Sequence, residues 1–313
     1  MPAEAHRRLA AIDLGTVTMR LLIADVTAHS IAEVERSTDI VHLGEGLTSS
    51  GALSADAIER VRQVAARYAQ AMASAGVERV RAIATSASRD ASNGESLLSA
   101  VGETGITLEI IGGDEEAALS FAGATWGAGY SRVLLNDIGG GSTELVLGRP
   151  AATDAAGGRG RIERARSIDV GSRRITETFL HSDPPTPGEL ARARGWVIGE
   201  LGAFFEPRFE PPDTLVSVAG TATSLSAIKQ GLAVYDPARV HGSRITRADV
   251  ASMLAMLSGL TVAERREVVG LHPGRAPVIV AGVLVLDCIL ELAQTAETTV
   301  SEHDILYGTL LSM

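Results

Sequence analysis

At 313 residues the chain exceeds one ordinary domain, so two domains are the starting expectation. Hydrophobic residues make up 45% and charged residues 21%, enough for real cores and against a disordered chain. A net charge of −10 argues against a general nucleic-acid or membrane-surface role, while local arginines, which supply every cation except Lys229, still allow a polyanionic substrate.

The first eight residues are polar and hold no signal-peptide core, so a soluble, cytoplasmic protein is expected. Residues 9–12 form an apolar strand run, followed by Asp13-Leu14-Gly15-Thr16-Val17-Thr18 and a second run over 19–26. Residues 33–43 read as a third strand, completing a meander. Ser54 caps a helix over 55–75, whose apolar positions recur at helical spacing until Gly76 stops it. A strand at 80–84 ends in Thr85-Ser86-Ala87-Ser88-Arg89-Asp90. Asn93 precedes a helix to about 101, and 107–111 is the next strand. That alternation belongs to a three-layer α/β domain. Gly112-Gly113-Asp114-Glu115-Glu116-Ala117 then opens a helix running to about Trp126. Acidic residues at a helix start ordinarily mean only dipole compensation and capping, the majority reading of such a pair. Residues 127–130 are a natural hinge.

Beyond the hinge, 132–135 leads into Asn136-Asp137-Ile138-Gly139-Gly140-Gly141-Ser142-Thr143-Glu144 and 145–147 leads out, a strand, a glycine turn and a strand. This repeats the first turn: Asp137 answers Asp13, Gly139 answers Gly15, Ser142 answers Thr18 and Glu144 answers Arg20. Two such units a domain's length apart suggest a duplicated fold whose turns face each other across a cleft. Residues 154–160 read as a loop, 162–170 as a strand, and Gly171-Ser172-Arg173-Arg174 starts a helix to about 180. Thr186 and Glu189 form a capping box after a proline-rich connector. A strand at 215–219 runs into Gly220-Thr221-Ala222-Thr223-Ser224 and a helix to 230, which places amide donors at a helix start. Thr246 caps a helix to 257, and Thr261 caps another over 262–269. Residues 276–292 form a long apolar helix, broken for membrane purposes by Pro277, Gly282 and Asp287. Cys288, the only cysteine, sits in it as a core residue and excludes an intramolecular disulfide. A short strand from 298, then Ser301-Glu302-His303-Asp304 and a last helix, follow.

Four turns thus carry oxyanion donors at strand ends: 13–18, 85–89, 139–142 and 220–223. Three glycines in a row let backbone amides approach an anion closely, and the hydroxyls of Ser142 and Thr143 add donors. Asp137 and Glu144 supply hard oxygen ligands on either side, the equipment for a phosphate carrying Mg²⁺. Taken alone, the segment is equally a glycine-rich hairpin with polar decoration. The chain has no G-x-x-x-x-G-K-[ST], G-x-G-x-x-G or G-x-S-x-G element, which argues against a P-loop, a dinucleotide cofactor and a serine hydrolase. His181, His241, His272 and His303 lack ligand spacing and read as non-ligands.

In order and spacing these pieces resemble the exopolyphosphatase/guanosine pentaphosphate phosphatase family, of the sugar kinase and actin superfamily, over essentially the whole chain. The carriers are Ala11-Ile12-Asp13-Leu14-Gly15-Thr16, Ala84-Thr85-Ser86-Ala87-Ser88-Arg89-Asp90, Gly113-Asp114-Glu115-Glu116-Ala117, the turn 137–144 and Ala219-Gly220-Thr221-Ala222-Thr223. His272-Pro273-Gly274-Arg275-Ala276 and Ser301-Glu302-His303-Asp304-Ile305-Leu306 are similar to the short two-domain actinobacterial branch. The resemblance implies an α/β protein of two duplicated ribonuclease H-like (actin/sugar-kinase-like) domains, 1–128 and 129–313, with an interdomain cleft. The last helix, about 304–313, would pack back on the first domain. Glu116 would be the general base, with Asp137 and Glu144 at Mg²⁺. Phosphates would be held by Gly139, Gly140, Gly141 and Ser142, by Arg89, and by Asp13, Gly15, Thr16, Thr18, Ser86, Gly220 and Thr221. The implied partners are inorganic polyphosphate and pppGpp, with neither nucleic acid nor membrane, and a homodimer is a further expectation.

Two departures matter. Val17 stands where the family's first phosphate turn carries asparagine, which removes one polar contact. The sequence stops at Met313, before the additional helical domains of longer members, so short chains are the expected substrate. The expected activity is Mg²⁺-dependent release of orthophosphate from polyphosphate ends, with pppGpp 5′-phosphohydrolysis as the alternative. A small-molecule kinase on the same fold, which Glu-Glu-Ala argues against, and a non-catalytic actin- or chaperone-like switch stand further off.

Overall fold

Buried apolar residues on both faces of one strand organise each half of the molecule. In β1 (Arg7–Leu14), residues 9–14 are all buried, as a central strand requires. It pairs antiparallel with β2 (Thr18–Val26), Asp13 opposite Arg20, and β3 (Ile31–Ile40) completes the meander. The computed structural model describes residues 6–150 and 160–313, so the loop expected at 154–160 falls almost entirely outside the described residues. After the short α1 (Leu47–Ser50), α2 (Ala55–Ala75) has the expected limits. Its Ser54 cap accepts a hydrogen bond from the Ala57 amide, and Gly76 ends it at φ 68°. β4 (Arg79–Ala84) leads through the expected turn, which is the short helix α3 (Ser86–Asp90), into α4 (Gly94–Gly102). β5 (Leu108–Ile110) completes a sheet of order β3-β2-β1-β4-β5, and α5 (Gly113–Ala124) follows.

The second half repeats this plan. β6 (Val133–Ile138), β7 (Thr143–Arg149) and β8 (Arg161–Ile168) form the meander, with Asp137 opposite Glu144 in the register that sets Asp13 opposite Arg20. Next come α6 (Ser172–Phe179), α7 (Pro187–Gly202), β9 (Thr214–Val218) and α8 (Ala219–Lys229). α9 (Pro237–Val240), β10 (Arg244–Thr246), α10 (Arg247–Ser258), α11 (Val262–Arg265) and α12 (Ile279–Leu292) precede β11 (Glu297–Val300) and α13 (Ile305–Leu311). The sheet order is β10-β11-β9-β6-β7-β8, so β6, β7, β8, β9 and β11 take the places of β1 to β5, with β10 as an added edge. α12 is buried from Ile279 to Leu290 and packs between α6, α7, α8 and α10, which accounts for its apolar sequence on every side. Among the described residues no helix is long and apolar enough to cross a membrane.

The closing helix of each half reaches across to the other. α5 packs on β7 and β8, while α13 packs on β1 and along α5. Their contact is too close for any side chain. A Cβ on Gly123 would lie 1.8 Å from the Asp304 carbonyl oxygen, and one on Gly308 would lie 1.9 Å from that of Leu119.

Candidate active site

The two repeated turns share one geometry. Gly15 donates to the Thr18 carbonyl at 2.9 Å, and Gly139 donates to that of Ser142 at 3.0 Å. Among the described residues, the amides at the turn tips, Thr16 and Val17 in one and Gly140 and Gly141 in the other, donate to no protein acceptor. All four residues line one cavity, where free amides can serve an anion. The turns also touch. A Cβ on Gly140 would meet Val17 Cγ2 at 2.7 Å, and one on Gly141 would meet Ser86 Oγ at 2.4 Å. These glycines are required by the approach of the opposite half, not by their own dihedral angles. The Val17 amide remains available, so the missing asparagine removes a side-chain contact only.

Between the turns lies a cavity of about 80 Å³. The expected residues Asp13, Gly15, Thr16, Thr18, Ser86, Glu116, Asp137, Gly139, Gly140, Gly141, Ser142, Glu144, Gly220 and Thr221 all line it. Four of them are buried carboxylates, Asp13, Glu116, Asp137 and Glu144, with Glu144 only 1% exposed. Asp137 accepts a hydrogen bond from Ser120 Oγ at 2.7 Å, and Glu144 accepts one from Ser167 Oγ at 2.6 Å. Burial pushes Glu116 up to about 7, the Arg89 cation opposing and Asp13 and Asp137 adding to the rise. Burial likewise pushes Asp137 up to about 6 against the Ser120 hydrogen bond and the Arg20 charge. Glu144 is raised further above the ordinary range by burial and by Glu116 and Asp137. A cluster that resists ionising in this way has a deficit of positive charge beside it.

Arg89 is the one expected phosphate ligand that does not line the cavity. Its Nη1 donates to Glu116 Oε2 at 2.6 Å and to the Ile111 carbonyl at 3.0 Å, so it holds the expected base instead. Two arginines with no assigned role in the sequence reading do line it, Arg20 and Arg275. Arg20 pairs with Asp13 at 2.5 Å and with Asp304 at the head of α13. Burial opposes its charge, but Asp304 and Asp13 outweigh that and hold the guanidinium protonated. Arg275 lies flat on Gly220, where a Cβ would fall 1.2 Å from its Nη1. Among the described residues it makes no side-chain hydrogen bond or ion pair, and burial lowers it to about 10, with Arg20 adding to the drop. Ala219, in the left-handed region at φ 62°, turns β9 into α8 so that Gly220 and Thr221 face the cavity. That conformation costs on the order of 1 kcal/mol for a residue with a Cβ, a strain placed at the site. The sequence signal for Arg20 was its match to Glu144 in the repeat; Arg275 stood in the motif 272–276 but had no role attached, and the fold brings it in from a distant turn.

The donor chemistry fits a divalent cation. Asp137 and Glu144 lie opposite each other in the β6–β7 ladder, carry hard oxygens and, among the described residues, pair with no arginine. Among the described residues no three His, Cys, Asp or Glu side chains converge as a closed metal cage. Mg²⁺ does not need one, since it is commonly held by one or two carboxylates together with substrate phosphates and water.

Two duplicated α/β halves with glycine turns and carboxylates in the cleft define the two-domain actin-like fold of phosphate-handling proteins. The chain belongs to the Ppx/GppA phosphatase family, whose model matches residues 22–313. It is 40% identical to Exopolyphosphatase 2 of Mycobacterium tuberculosis, over 99% of each chain. Among solved structures it resembles an exopolyphosphatase-like protein at 33% identity and a TM-score of 0.89, covering 98% of this chain and 97% of that one. A Ppx/GppA family member from Aquifex aeolicus follows at 31% identity and a TM-score of 0.81, with 98% and 97% covered.

Proposed function

We propose that the protein is an exopolyphosphatase that removes the terminal phosphate of inorganic polyphosphate with the help of Mg²⁺. The observation that carries this reading is the cavity itself, where four buried carboxylates face the free amides of two glycine turns. The tip amides and Arg275 bind and orient the terminal phosphoryl group, and Arg20 holds Asp13 in place at the first turn. Asp137 and Glu144 would hold the metal, which when bound draws negative charge away from the phosphoryl oxygens. Glu116, steadied by Arg89 at 2.6 Å, accepts a proton from the attacking water at one of its carboxylate oxygens. Fixed donors and an oriented nucleophile are what phosphoryl transfer to water demands. A cavity of about 80 Å³ is small beside the roughly 300–1,000 Å³ of sites that enclose drug-sized ligands, which suits a phosphate end more than a nucleoside.

The test is orthophosphate release from a panel of defined polyphosphates and pppGpp, with Mg²⁺ and with a chelator. Release from polyphosphate that stops on chelation is expected. Release from pppGpp alone would move the substrate to the nucleotide, and transfer to a hydroxyl acceptor without free phosphate would make the protein a kinase.

A further inference from the structure

A second cavity, of about 220 Å³, lies beyond the meeting point of the two turns and shares Thr16, Ser86, Gly140 and Gly141 with the first. Its charges are two arginines and two aspartates from both halves of the molecule. Arg174 is neutralised: it pairs with Asp90 across the cleft, with Asp169 3.9 Å away, and its Nε donates to the Gly141 carbonyl. Arg173 is not. Only 8% exposed, it lines the cavity with its Nε bonded to nothing. Its Nη2 lies 2.5 Å from His42 Nδ1, and its Nη1 reaches Glu177 only at 3.4 Å. That same Glu177 oxygen also accepts the Gly46 amide at 3.1 Å, which divides its attention. The Ser86 hydroxyl, on the shared wall, is buried and unpartnered as well. The free guanidinium N–H lines this cavity and the free hydroxyl lies on the wall it shares with the first, so both can donate to an added acceptor, although Glu177 Oε2 nearby is also buried without a partner.

We propose that this second cavity is a phosphate-binding site, with Arg173 as its cation and Ser86 as its hydroxyl donor. Its ligand is a tetrahedral phosphate oxyanion, the species a guanidinium fork matches best. The reading rests on the proposed polyphosphate chemistry for its two sources of that group, an inner phosphate of the substrate chain or orthophosphate already released. The site is assembled only when the halves meet, because Arg173 comes from α6 and Ser86 from α3.

The experiment compares the wild-type chain with Arg173→Met, Arg173→Lys and Thr48→Glu. Thr48 is exposed on the cavity wall, so a glutamate there repels phosphate without disturbing the buried arginine. KM is measured for tripolyphosphate and for a long linear polyphosphate, together with inhibition by added orthophosphate. An inner phosphate as ligand predicts about a tenfold rise in KM for the long chain in Arg173→Met and Thr48→Glu, with KM for tripolyphosphate and kcat unchanged and partial recovery in Arg173→Lys. Released orthophosphate as ligand predicts instead about a tenfold weaker product inhibition with both KM values unchanged. Thr48→Glu decides if Arg173→Met does not fold. Unchanged KM and unchanged inhibition in a folded variant would overturn the site. Should the wild type release phosphate from no polyphosphate, the functional reading fails separately. Calorimetric titration of inorganic phosphate into wild type and Arg173→Met then tests the site alone, with loss of binding supporting it and equal heats overturning it.

Discussion

Glu116 illustrates how position gives a common residue an uncommon environment. A glutamate in the first turn of a helix ordinarily answers the helix dipole, and exposed Glu115 does so here while pairing with Arg81. Glu116, one residue on, is turned inward against Arg89 and the other carboxylates. Glu116→Gln should lower kcat by on the order of 10²–10⁴ with little change in KM, measured by phosphate release. A base must be ionised to act, and burial holds this one up to about 7. In limiting Mg²⁺, kcat/KM should therefore fall as the pH drops through about 7, not through the ordinary glutamate range. The limb reports the coupled carboxylates together, and saturating Mg²⁺ should move it to lower pH. Asp137 gives the matching stability test. Its folded pKa, about 6, lies above its unfolded value, so the folded state holds the extra proton between them and stability falls as pH rises through that interval. Asp137→Asn should accordingly raise Tm of the metal-free protein at pH 8, and the gain should shrink as pH falls below about 6 and vanish only below the ordinary aspartate value of 3.8, while activity is lost. The site was legible in sequence where it is local: the turns and Glu116 belong to contiguous motifs. Arg275 on Gly220 and Asp304 on Arg20 are contacts between distant segments, and no spacing rule reports them.

Elements were legible where caps mark them. Ser54 and Gly76 delimit α2, and Thr186 and Thr246 close complete capping boxes at α7 and α10. Thr261 does the same for α11, but that helix ends at Arg265 and not at 269, because the capping box fixes a start and nothing there supplies a buried face to continue. β10 has three residues and exists through pairing with β11, so it left no period to detect. Packing between helices was legible still less. Gly123 and Gly308 lie inside helices, and they let α5 and α13 cross at backbone contact. Gly123→Ala should force the pair apart and cost about 1–3 kcal/mol. It should also lower kcat, since Glu116 rides on α5 and Asp304, which holds Arg20, heads α13. Gly199 in α7 is the control: a Cβ there meets nothing within 4 Å. Gly199→Ala should stabilise by about 0.5–1 kcal/mol, read as a shift in Tm with activity retained.

The repeat that organises the whole molecule keeps the order of five strands but is broken in charge. Where the first hairpin sets Asp13 against Arg20, the second sets Asp137 against Glu144, so one wall of the cleft is internally neutralised and the other is left acidic. A symmetric cleft would hold either two bare acidic walls or none; on the proposed function, the acidic second wall would take the cation while the tip amides of both turns take the phosphate. The halves are nevertheless not independent bodies. α5 follows the first sheet in sequence but covers β7 and β8, and α13 follows the second sheet but covers β1. Leu306, Tyr307 and Leu310 of α13 share one apolar cluster with Leu9, Ala11, Leu22 and Ala24 of the first sheet. Opening either half therefore strips apolar cover from the other, at roughly 25 cal/mol for each Å² exposed. Two domains joined only by a hinge would melt separately, whereas halves that exchange their covering helices should melt together. Differential scanning calorimetry of the full chain should show a single endotherm with calorimetric and van't Hoff enthalpies in agreement. Two resolved transitions would mean that the exchanged helices do not couple the halves, and the tight crossing at Gly123 and Gly308 would then be a local packing detail.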